Sequence, residues 1–105
     1  MQDPNADAAN EKKENVLMEA AAGGHVPVVW ALLEKGANPR ATDADGWTAL
    51  MFASAQGHAA VAKMLIDKGS DVSARDKFGV SANALAQQYG HDDVIAVLAA
   101  PPSRR

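Results

Sequence analysis

The chain contains no cysteine. Disulfides, thiolate nucleophiles and zinc–sulfur sites are therefore excluded together, and a reducing setting is expected. Aromatic residues are scarce, at 5%, so small aliphatic side chains have to fill the core. Alanine dominates the apolar runs, a composition that favours helices in close contact. No apolar run approaches the roughly 18 residues of a membrane-crossing helix. Neither sign of charge prevails: ten Lys and Arg against thirteen Asp and Glu leave a formal net charge of −3. That balance is too mild and too mixed to steer the chain to nucleic acid or an acidic membrane. Met1 to Asn15 is polar and lacks the hydrophobic stretch of a secretory signal. The cytoplasm, with the nucleus as the alternative, is the expected location. What is present is 48% hydrophobic residues in 105, enough for one small domain. A domain of that size buries roughly two thirds of the surface its unfolded chain exposes.

The chain repeats itself. Gly24-His25 recurs as Gly57-His58 and Gly90-His91, in steps of 33 residues. At the same period Ala20 returns as Ala53 and Ala86, Val28 as Val61 and Val94, and Leu32-Leu33 as Leu65-Ile66 and Leu98-Ala99. Gly36 returns as Gly69 and Gly46 as Gly79. Six independent positions on one period identify a repeat array. Within residues 46–77 the unit reads as helix, turn, helix, loop. Thr48 is a suitable N-cap, Ala49 to Gln56 an apolar helix of about two turns, and Gly57 a left-handed helix end. Ala59 to Lys68 carries Val61, Met64 and Leu65 on one stripe, and Gly69 stops it. In the polar loop that follows, Asp71 and Asp76 are suited to accept backbone amides. Helices this short need neighbours to hold them.

The period and the series Gly46, Thr48, Leu50, Ala53, Gly57-His58, Val61, Leu65-Ile66, Gly69, Asp71 resemble the ankyrin repeat, from about Asn15 to Ala100. The resemblance implies an all-α solenoid of about three stacked helix pairs with hairpin-like loops projecting at about a right angle. The units fall at about 14–45, 46–78 and 79–100, with a polar segment over 1–13, partly disordered or a helical cap, and a loose tail over 101–105. The family's Thr-Pro-Leu-His segment is Thr48-Ala49-Leu50-Met51 here and Ser81-Ala82-Asn83-Ala84 one unit on. The family's His-to-Thr tie between neighbours is therefore missing. The first unit has Asn10 to Glu14 in place of an opening hairpin, and in the last Asn83 stands where Leu50 stood. Pro101-Pro102 ends the final helix.

Residues that could carry chemistry all have structural roles in the repeat. His25, His58 and His91 occupy one slot in successive units, set apart by roughly the 8–10 Å of packed helices. A zinc–nitrogen bond of about 2.1 Å cannot bridge that spacing. Asp92-Asp93 follow Gly90-His91 at a helix N-terminus, where negative charge suits the dipole. Ser54, Ser70, Ser73, Ser81 and Ser103 have repeat, cap or tail explanations and no base beside them. The glycines stand at helix ends, with no cluster to cradle a phosphate. No catalytic, metal or cofactor site is expected, and the chain is not expected to be an enzyme.

The resemblance implies a module that binds another protein through its hairpin tips and the concave face of its first helices, without nucleic acid or membrane and as a monomer. A regulatory or targeting part of an enzyme complex, or a piece of a longer ankyrin-containing chain, is the alternative. The matching positions in the middle unit are Thr42, Ala44, Asp45, Trp47, Ala55 and Gln56. One unit on they are Arg75, Lys77, Phe78, Val80, Gln88 and Tyr89. Trp47 is the expected central anchor, because its slot after the hairpin glycine, shared with Val80, is not needed by the stack. Phe52, in a core-facing slot, is expected to serve packing. Trp30, on a convex slot otherwise held by Lys63 and Ala96, is expected to pack against the N-terminal segment.

Overall fold

The computed structural model describes the backbone of residues 4–100 and the side chains of residues 12–100. Six helices follow one another: α1 (Pro4–Gly23), α2 (Val26–Glu34), α3 (Ala49–Gln56), α4 (Ala59–Asp67), α5 (Ala82–Gln88) and α6 (Asp92–Ala99). Among the described residues there is no strand, only the isolated antiparallel bridge between Arg75 and Ser81. The expected tail over 101–105 and the first three residues lie outside the described residues. The charged run Asn10 to Glu14 is part of α1, which continues as one helix back to Pro4.

Local chemistry explains the boundaries. The Thr48 hydroxyl accepts the Met51 N–H at 3.2 Å, and the Ser81 hydroxyl accepts the Ala84 N–H at 3.2 Å. Each satisfies one of the amides that a helix start leaves without a partner. At the other end of α3 the Gly57 backbone takes φ 79°, a left-handed value that glycine adopts without cost. The second helices are capped by His25, His58 and His91, none of which uses its side chain on its own helix.

The helices stack in two layers. α1, α3 and α5 pack side by side in one, and α2, α4 and α6 in the other, each pair also closing on itself. Leu17, Leu50, Val29, Val61, Leu65 and Val94 are the large apolar side chains between them, with Ala20, Ala21, Ala53, Ala62 and Ala86 where helices approach most closely. Ser54 lies in this core with no exposure. Its hydroxyl donates to the Leu50 carbonyl one turn back at 2.7 Å, so no buried polar atom is stranded. Met51, where the family places His, is 1% exposed and contributes packing in place of a hydrogen bond.

Neighbouring units are tied by a device the sequence does not announce. The His58 Nε2–H donates to the Ala22 carbonyl at 3.1 Å, and the His91 Nε2–H to the Ala55 carbonyl at 3.1 Å. Both carbonyls belong to the last turn of the preceding unit's first helix, where a helix cannot satisfy them itself. The histidine slot is thus a fastener between units and not merely a polar start to a helix. In the loops Arg40 Nε donates to the Gly69 carbonyl at 2.8 Å, and Lys68 pairs with Glu34 at 2.8 Å.

Candidate partner-binding face

Two hairpin turns, one unit apart, are built by the same aspartate. The Asp43 carboxylate accepts the N–H groups of Asp45 and Trp47, both at 2.9 Å, and the Asp43 N–H donates to the Trp47 carbonyl. Asp76 repeats this with Phe78 at 2.8 Å and Val80 at 2.9 Å, and its N–H donates to the Val80 carbonyl. A side chain that gathers amides two and four residues on replaces backbone pairing and fixes the turn. The tips, Ala44 with Asp45 and Lys77 with Phe78, are left pointing outward and exposed.

The hairpins also hold each other. The Lys77 N–H donates to the Asp45 carbonyl at 3.0 Å, and the Trp47 indole N–H donates to the second carboxylate oxygen of Asp76 at 2.9 Å. Gly46 lies where they pass: at φ 84°, a Cβ there would stand 3.0 Å from the Lys77 backbone nitrogen. Any other residue would be strained and would push the hairpins apart. Lys77 Nζ stands 3.5 Å from the Asp45 carboxylate and 5.7 Å from the Phe78 ring centre. Both groups of that ion pair are exposed, so it orients the tip and adds little stability. The Val80 N–H holds the Asp76 carboxyl below the ordinary aspartate value; burial pushes the other way, and the Phe78 N–H and the Trp47 indole add to the lowering. The Ser73 hydroxyl and N–H, with Arg40 nearby, lower Asp71 against a smaller contribution from burial.

This geometry corrects one expectation. Trp47 is half-buried, bonded to Asp76 and tilted against Phe52 at 4.9 Å between ring centres. The slot after the hairpin glycine is therefore used by the stack, because an indole there reaches the next unit's turn. Val80, in the same slot, is likewise half-buried against the core. Phe52 packs against the core as expected, half-buried, and lines an open groove of about 410 Å³ with Asn15, Met18, Glu19 and Ala22 of α1. Trp30 is 52% exposed and lines a groove with Ala60 and Met64 of α4 and with Lys68 just after it; most side chains of the N-terminal segment it is expected to pack against lie outside the described residues.

The other expected residues divide clearly. Thr42, Ala44, Asp45, Gln56, Arg75, Lys77 and Gln88 are exposed on the hairpins and the ends of the first helices. Ala55 is half-buried, with its carbonyl taken by His91. Phe78, 76% exposed, and Tyr89, 54% exposed, are the two aromatics left open on this side. The Tyr89 ring stacks on His91 at 6.5 Å. The α1 side of the groove was not singled out from the sequence, although the 33-residue step carries Phe52 back to Glu19, Met51 to Met18 and Ala55 to Ala22.

Among the described residues no cluster of three His, Asp or Glu side chains is placed to hold a metal ion, and no helix is long and apolar enough to cross a membrane. No curated protein matches the chain in sequence. The family model for ankyrin repeats (3 copies) matches residues 1–76 and 17–103. Members of that family are interaction modules in general and are typically non-catalytic. With the repeat, the six helices and this match in agreement, the chain belongs to the ankyrin repeat family.

Proposed function

We propose that the chain is a non-catalytic adaptor that binds one protein partner across its hairpin tips and concave face, with Phe78 and Tyr89 as the anchors. The observation that carries this reading is the exposure of Phe78, at 76%, on a turn whose backbone is fixed by Asp76 and by the neighbouring hairpin. A large apolar ring held in water on an ordered loop costs little additional entropy when it is covered. Aromatic anchors of this kind dominate binding energies, and charges around them set orientation. Asp45, Lys77 and Arg75 supply such a mixed-charge rim. The groove between Phe52 and Met18 extends the apolar surface along the first helices.

The test is affinity capture from native extract with the unaltered chain and a Phe78→Ala, Tyr89→Ala variant in parallel, each checked for helical content. Loss of the same retained protein from the variant alone supports the reading. Equal retention by both would refute the assignment of the anchors.

A further inference from the structure

The repeat supplies its own standard for what a covered face looks like, and the first unit departs from it on one side. Val61 and Val94 are 0% exposed, and Ala49 and Ala82 are 1% and 2% exposed. All four lie on the side of their units that receives the preceding helix pair. The same slots in the first unit hold Val28 at 44% and Val16 at 43% exposure. With Ala20 and His25 they line an open groove of about 350 Å³, rimmed by Glu19. The histidine completes the pattern. His58 and His91 reach back to a helix-end carbonyl of the preceding unit, whereas the exposed His25 ring is turned back over Gly23. α1 runs on as helix to Pro4, where a hairpin leads into α3 and α5, so the described chain does not cover this face itself.

The opposite end of the stack is different. A Cβ on Gly24 would strike the His58 ring and one on Gly57 the His91 ring, but one on Gly90 would meet none of the described residues within 4 Å. Asn83, Gln87 and Gln88 of the same unit are all exposed. They replace the Leu50, Ser54 and Ala55 with which the middle unit meets its successor. A polar row of this kind discourages head-to-tail growth of the chain on itself, which would otherwise form open filaments.

We infer that the outer face of the first unit is a docking surface for another protein's ankyrin-type helix pair, one that brings an apolar outer face and a free helix-end carbonyl for His25. The two interfaces inside the chain identify the occupant. Each is made by a helix pair laid on Val61 or Val94, with one histidine-to-carbonyl bond, and the open face offers the same slots with a larger apolar side chain, Val16, in place of alanine. This surface lies at the end of the stack and is independent of the anchors at Phe78 and Tyr89.

The probe is the full chain carrying Asn83→Leu, Gln87→Ser and Gln88→Ala, which reproduces on its last unit the face of the middle one. Sedimentation velocity over a rising concentration series should show the unaltered chain as a monomer and the triple variant associating. Adding Val28→Lys to the triple variant should weaken that association at least tenfold. A triple variant that stays monomeric, an association indifferent to Val28→Lys, or equal association of the unaltered chain would each overturn the inference. Should the triple variant lose its helical signal, single substitutions in the unaltered chain decide. Val28→Lys should leave the melting temperature nearly unchanged while Val61→Lys abolishes the cooperative transition. Equal losses would mean that the first face is already covered, and the inference would fall.

Discussion

At the scale of single residues, three histidines in one slot make a controlled comparison. His58 and His91 each satisfy a helix-end carbonyl in the preceding unit, while the His25 ring is turned back over Gly23. A hydrogen bond of this kind contributes about 0.5–1.5 kcal/mol net, and a carbonyl left buried without it costs more. His58→Ala should therefore lower stability by about 1–2 kcal/mol in chemical denaturation, and His25→Ala should stay near zero. Equal losses would show that the ring contributes through helix capping alone.

Asp76 makes a second residue-scale case, with a defined pH dependence. Its folded carboxyl titrates below the ordinary aspartate value. The stability it contributes is therefore fully present above about pH 3.9 and is lost as pH falls through the lower folded value. Asp76→Asn removes the acceptor of the Trp47 indole. Thermal melts should separate the variant from the unaltered chain at neutral pH and bring the two closer as the pH falls through the lowered folded value. A gap that widens in acid would contradict the carboxylate's role.

At the scale of elements, α3 and α4 have eight and nine residues, lengths that are marginal in water on their own. Their stability comes from neighbours on both sides. Leu65 is 0% exposed in the middle unit, and Leu65→Ala should cost about 2–5 kcal/mol, a large share of the total for a domain of this size. An unchanged denaturation midpoint would mean that the stack is not packed as described. The bounds of these helices were legible in the sequence, because glycine ends and hydroxyl caps act locally: α3 was read to the residue and α4 to within one. The fastening by histidine and the use of Trp47 were not. A bond from His58 to Ala22, or from the Trp47 indole to Asp76, spans 36 or 29 residues of chain and depends on the distance between stacked units. Periodicity reveals the slot but not the direction in which its side chain points. Asp76 was read as an acceptor of backbone amides and is one. Asp43, one period earlier, makes the same turn, as the 33-residue step implies.

For the whole molecule, the stack gives three surfaces distinct character. The hairpin and concave side carries open aromatics in a mixed-charge rim, the first face is apolar, and the last is polar. Trp47, read from the sequence as the free anchor on the concave side, instead joins two hairpins, and the open aromatics are its neighbours Phe78 and Tyr89. A substitution at Trp47 should for this reason reduce stability as well as any binding, whereas Phe78→Ala should leave the melting temperature nearly unchanged. The most direct measurement is a calorimetric titration of the captured partner against the unaltered chain, Phe78→Ala and Trp30→Ala. The expected result is a loss of more than about tenfold for Phe78→Ala, since a central anchor contributes roughly 2 kcal/mol and ~1.4 kcal/mol is a decade, with Trp30→Ala near the unaltered value. Undiminished affinity in Phe78→Ala, with the loss falling on Trp30→Ala, would contradict it and move the working surface to the convex face.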